Sequence, residues 1–159
     1  MADRIVIDTG PLIALARIDA LDLPGRLPIE FVCPVEVREE LDAGERAGYG
    51  RVAPGWLSVV PLNRPLSRME ASTLGKGEAA VIALAAELGI ETVCIDEWKG
   101  RRSALAAGLN VTGALGLLGR AKRLGLVQAI GPYVDRAVRE GIRYDESLIR
   151  RVLESVGEA

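Results

Sequence analysis

Five short runs of strand-forming residues punctuate the chain: RIVI at 4–7, EFVC at 30–33, LSVVPL at 57–62, TVCI at 92–95 and LNV at 109–111. Helical patterns lie among them, at about 11–18, 35–42, 77–88, 98–107 and 113–124. This alternation constrains the fold more than any other feature, because parallel strands need helix-length crossovers and a βα series supplies them. The expectation is an α/β fold with a mostly parallel sheet and helices on both faces. Beyond Leu124 the strand signal stops. GPYVDRAVREG and YDESLIRRVLESVG predict two closing helices at about 130–157, the second with Asp145 as N-cap and Leu148, Ile149, Val152, Leu153 and Val156 on one stripe. A length of 159 residues fits one domain, 1–159, able to bury roughly 70% of the surface its unfolded chain exposes. Residues 44–55, with four glycines and a proline, are the least regular stretch and suit a mobile loop over a cleft.

Composition narrows the chemistry. The chain has no histidine, which removes histidine-based triads, histidine-ligated zinc and a histidine general base together. Cys33 and Cys94 lie inside apolar runs with no CxxC spacing and are expected to pack as small hydrophobes. A formal net charge of -2 argues against binding nucleic acid through bulk electrostatics, so any such contact must be local. Aromatics are only 4% of residues, which argues against base stacking on aromatic platforms. The N-terminus lacks a signal-peptide pattern and no apolar stretch approaches the roughly 18 residues of a spanning helix, so a soluble, cytoplasmic protein with no membrane partner is expected.

The carboxylates are more specific. In an open α/β sheet, ligands bind outside the carboxyl ends of strands where the strand order reverses. Two strand runs end in acid, at Asp8 and Asp96, and an order 3-2-1-4-5 would make those strands neighbours. Neighbouring strands lie about 4.8 Å apart, which would bring the two carboxylates together. In GKGEAAVIALAAELG, Val81, Ile82, Ala85 and Leu88 form an apolar stripe, and Glu78 falls in phase with it one turn earlier. A first-turn glutamate also suits the helix dipole, so capping competes with a site role for Glu78. In PVEVREELDAG, Glu39 points away from the Val37 and Leu41 stripe while Glu40 sits on its edge. Converging carboxylates repel one another and raise each other's pKa unless something positive lies among them. Oxygen donors without histidine or an accessible thiol favour a hard ion, Mg²⁺ or Mn²⁺, which can activate water and neutralise charge on a phosphodiester.

Taken in order, IDTGPLIALARIDALDLP, CPVEVREELDAG, LGKGEAAVIALA, CIDEWKGRR and NVTGALGLLGRAKRLGLV resemble the successive motifs of PIN-domain nucleases, in particular the subfamily related to VapC-type toxins. The resemblance runs from Ile5 to about Gly157. It aligns Asp8 with the family's first-strand aspartate, Thr9 with the neighbouring hydroxyl residue and Glu40 with the glutamate after the second strand. Glu78 matches the acid opening the central helix, and Asp96 the acid ending the fourth strand. What the resemblance implies is a three-layer α/β/α sandwich of strand order 3-2-1-4-5 and Mg²⁺- or Mn²⁺-dependent RNA hydrolysis. Asp8, Glu78 and Asp96 would hold the ion, Glu40 would complete the cluster and Thr9 would orient a water. The resemblance also implies a homodimer and often a small antitoxin partner. Glu78 where many relatives carry Asp, and Glu97 beside Asp96, depart from the better-studied toxins.

Lys99, Arg101 and Arg102 follow Asp96 at a helix start, where cations oppose the dipole, so substrate phosphate contact competes with a solvated face. Arg120, Lys122 and Arg123 occupy a last helical turn, where cations are favoured anyway. GALGLLG does not fit GxGxxG and is expected to serve close helix-to-sheet packing. Two other functional classes stand against a nuclease. A catalytically weak PIN-like module would bind RNA or protein without cutting. A phosphatase or phospho-receiver would need a second acid near Asp8, but Thr9 and Gly10 follow it.

Overall fold

The computed structural model describes residues 3–159. Its strands are β1 (Asp3–Ile7), β2 (Ile29–Pro34), β3 (Leu57–Val60), β4 (Thr92–Cys94) and β5 (Asn110–Thr112). Its helices are α1 (Thr9–Arg17), α2 (Val35–Arg46), α3 (Arg68–Leu74), α4 (Lys76–Leu88), α5 (Trp98–Ala106), α6 (Ala114–Arg123), α7 (Gly131–Arg139) and α8 (Glu146–Ser155). All strand pairs are parallel and the order is β3-β2-β1-β4-β5, with helices covering the sheet as an α/β/α sandwich. β1 is central because Ile5, Val6 and Ile7 are apolar on both faces and essentially fully buried, as a strand covered by helices on both sides must be. Val6 pairs with Val32 of β2 and with Val93 of β4, so the strand order reverses between β1 and β4. The core continues through Phe31, Leu12, Leu15, Val37, Leu84 and Leu118. Cys33 and Cys94 are free thiols buried within it.

Three expectations need correction. The predicted apolar stripe of the central helix is shifted: Val81, Leu84 and Ala85 are fully buried, whereas Ile82 and Leu88 are half-exposed. α4 packs on β1, β2 and β4 and also on α2 and α3, so a simple one-sided stripe does not describe it. α2 runs through Gly44 to Arg46, and Val52 of the following loop is buried, which anchors part of the segment expected to be loose. α3 was not anticipated. It buries no residue and has no stripe to reveal it, but Ser67 and Glu70 form a reciprocal capping box at its start.

The closing helices lie where expected. Asp145 caps α8 by accepting the Ser147 N–H, and the predicted α8 stripe packs on the core. Glu158 accepts the backbone N–H groups of Ile130 and Gly131 and pairs with Lys122 at 2.9 Å, which ties the end of the chain to α6 and the start of α7. Among the described residues no helix is long and apolar enough to cross a membrane.

Candidate functional site

Asp8 stands where β1 ends, at the switch point between β1 and β4. Its backbone N–H still donates to the Cys94 carbonyl at 3.0 Å, so the strand ladder holds its main chain. The residue occupies the N-cap position of α1, yet its carboxylate makes no capping hydrogen bond into the first turn. Capping therefore does not explain it. It is 5% exposed, the one buried charged residue among those described. Burial pushes its carboxyl up to about 7; the nearby Thr9 N–H draws it back only in part, and Glu78, Glu40 and Asp96 push it further the same way.

Asp96 lies two residues past the end of β4 and is held from three directions. Its Oδ1 accepts the Ala114 N–H at 2.8 Å, at the start of α6. Arg101 donates to the Ile95 carbonyl at 2.8 Å, which places its guanidinium beside the carboxylate, and the Tyr144 hydroxyl lies 3.5 Å from Oδ2. Burial raises the Asp96 pKa, and Ala114, Arg101 and Tyr144 oppose that rise. Gly113 makes the approach possible, because a Cβ there would fall 2.4 Å from Asp96 Oδ1.

Glu40 and Glu78 come from facing helices. Gly77 leaves room for the Glu40 carboxylate: a Cβ at that position would lie 1.8 Å from its Oε1. Burial first, then Glu78, raises the Glu40 pKa, while the Thr9 hydroxyl and Lys76 lower it. Thr9 Oγ1 faces Glu40 but lies outside hydrogen-bonding geometry, and it is buried without a partner. The Glu78 side chain runs beside Gly100, where a Cβ would sit 3.2 Å from its Cγ. Glu39 turns outward to pair with Lys76 at 3.5 Å.

A family model described as a PIN domain matches residues 4–158, nearly the whole chain. The chain belongs to the PIN-domain family. A search of curated proteins with this sequence finds no match. PIN domains are generally nucleases that use divalent metals, so the protein has a nuclease-type fold.

In this PIN domain Asp8, Glu40, Glu78, Asp96 and Thr9 all gather at the carboxyl ends of β1 and β4. As they stand, no group of three acidic or thiol side chains among the described residues is close enough to hold a metal ion. The donor chemistry nonetheless fits a hard cation. The donors are carboxylates and an orphaned hydroxyl, histidine is absent, and the two thiols are buried with raised pKa values. Repulsion among the acids is what a bound cation would relieve.

The three cations that follow Asp96 are disposed differently. Arg101 is engaged with the Ile95 carbonyl and Asp96, Arg102 lies over the Trp98 ring, and Lys99 is exposed. Arg120 pairs with Asp3 and Lys122 with Glu158, as suits a last helical turn. Both Glu97 oxygens accept backbone N–H groups, of Lys99 and Gly100, so Glu97 caps α5. Tyr144 is the neighbour of Asp96 that sequence reasoning missed; it lies 48 residues further along the chain, and no local pattern signals it.

The two glycines give opposite mutational expectations. Gly113→Ala should destabilise the fold by about 1–3 kcal/mol, because Asp96 is fixed by its hydrogen bonds and cannot yield. Gly77→Ala meets only the tip of the flexible Glu40 side chain. It should leave stability unchanged or raise it by up to about 1 kcal/mol through better helix propensity. Urea denaturation of the two variants checks both.

Proposed function

We propose that this PIN domain is a divalent-metal-dependent endoribonuclease. The observation that carries the reading is Asp8, a buried carboxylate at a strand switch point that does not cap its helix and feels the charge of three further acids. Asp8, Glu78 and Asp96 are the residues that would hold Mg²⁺ or Mn²⁺, with Glu40 completing the cluster. Such an ion would supply positive charge against the carboxylates and against the charge that develops on a phosphodiester. The chain's own residues do the positioning. Thr9 Oγ1, buried and unpartnered, would accept a hydrogen bond from an attacking water or donate one to a phosphate oxygen. Ala114 N–H, Arg101 and Tyr144 fix the orientation of Asp96. Water attack forms one P–O bond and breaks another, leaving a strand end on each product. The VapC-like motif order supports a role as the toxin of a toxin–antitoxin pair, with a small antitoxin partner, a homodimeric state and a cytoplasmic setting.

Purified protein should cut single-stranded RNA when Mg²⁺ or Mn²⁺ is added, stop in excess chelator and resume when the metal is restored. Gel analysis of a mixed RNA pool measures this. Cutting that continues in chelator would overturn the metal assignment. RNA binding without cutting under any metal would turn the reading toward a binding module.

A further inference from the structure

We propose that Trp98, with Arg102 laid across its ring, is a stacking platform for a base of an RNA strand that crosses the outer face of α5. This deepens the ribonuclease reading and rests on it for the identity of the strand. Trp98 is the first residue of α5, two positions after Asp96, and the same helical turn lays Gly100 against Glu78. Residues two apart lie on opposite sides of a helix, so the ring leaves α5 on its outer face, beside Lys99 and Arg102. Trp98 is 63% exposed, and the Arg102 guanidinium sits 4.6 Å from the ring centroid. An exposed ring with a guanidinium on one face keeps a flat π surface on which a base can stack.

The surrounding charge selects the partner. Lys99 and Arg102 border the ring, and neither enters a salt bridge among the described residues. The nearest acid in the chain, Glu97, is occupied in capping the helix. An exposed ring with Arg102 on one face and Lys99 beside it matches a nucleotide, whose base stacks while its phosphate meets the cations. Other aromatics do not offer this: Trp56 packs edge-on against Phe31 and donates to the Leu21 carbonyl. Low aromatic content had argued against stacking, but a single well-placed ring suffices for one base. The competing use of this face is contact between copies of the chain, since Leu105 on the same helix is 59% exposed.

The test compares a short fluorescent oligoadenylate with the same strand made abasic, both binding to the Asp8→Asn protein with Mg²⁺ present. Base stacking makes the intact strand bind roughly 5- to 150-fold more tightly, and Trp98→Ala should remove that ratio while Trp98→Phe keeps most of it. In the active protein, Trp98→Ala should raise KM and leave kcat within about twofold. Sedimentation of each variant accompanies the binding. An intact-to-abasic ratio unchanged in Trp98→Ala overturns the proposal. So does a loss of binding that coincides with dissociation of a dimer, which would assign the face to self-association. If the parent cuts no RNA but the ratio still depends on Trp98, the ribonuclease reading fails and the platform stands.

Discussion

Asp8→Asn is expected to lower the rate of RNA cleavage by on the order of 10³-fold while leaving secondary structure and thermal unfolding cooperativity intact. The side chain changes from carboxylate to amide with almost no change in volume, so the packing around β1 and α1 is preserved. No capping bond is lost, because Asp8 makes none. The backbone N–H to the Cys94 carbonyl, which fixes the residue between β1 and β4, does not involve the side chain. What the amide removes is one negative charge from a group of four acids, at the most buried position among them. Glu97→Gln is the matched control: it also removes one acid within two residues of Asp96, but from a helix cap. It should leave cleavage within about an order of magnitude and cost some helix stability instead. Initial-rate cleavage assays with circular dichroism on both variants check the contrast. Equal losses in the two would mean that general electrostatics near the site, not the Asp8 position, governs activity.

The contrast also shows what kinds of feature a sequence exposes. The βα alternation was legible because each strand run is short, apolar and followed by a helical period, and all five strands lie within a few residues of their expected places. Placing β1 beside β4 required the strand order that the family resemblance implied; the ladder from Asp8 to Cys94 now supplies it directly. Glu40 could be separated from Glu39 by helical phase alone, since a rotation of one residue turns one toward Thr9 and the other toward Lys76. Features that depend on distant partners were not legible. Tyr144 reaches Asp96 from the segment between α7 and α8, and its hydroxyl is no different in sequence from that of any exposed tyrosine. Trp98 carries no sequence signal for the same reason: its exposure follows from where α5 lies, not from its neighbours in the chain. Glu97 could have been read as a cap, because an acid directly before a helix is a common N-terminal signal, but beside Asp96 it stood out only as a departure from the family pattern.

Without metal, stability should fall as pH rises from about 5 to 7.5, the reverse of ordinary acid denaturation. The Asp8 carboxyl is raised from 3.8 to about 7 in the folded protein, so between those values the folded state holds a proton that the unfolded chain has released. Its penalty is absent below the unfolded value, grows through the window and is complete above about pH 7, where it amounts to on the order of 4 kcal/mol. Glu40 and Asp96 are shifted in the same direction and add to the slope. Glu70, Asp145 and Glu158 are shifted downward; the stability they contribute is present above their unfolded values and fades only as pH drops through and below them. The two sets therefore act in different pH ranges. In excess chelator at about pH 7.5, Asp8→Asn should melt several degrees above the parent, up to about 10 °C, and the difference should close by about pH 4. Asp96→Asn should gain less, because Ala114 N–H, Arg101 and Tyr144 already support that charge. Adding Mg²⁺ should then reverse the order by stabilising the parent and not Asp8→Asn, since an ion that binds only the folded form raises its stability with the logarithm of ion concentration once that exceeds Kd. Melting curves across this pH range, with and without Mg²⁺, measure all three effects. A parent that outlasts Asp8→Asn in chelator at pH 7.5 would mean that the carboxylate is stabilised by the fold and has no need of a cation.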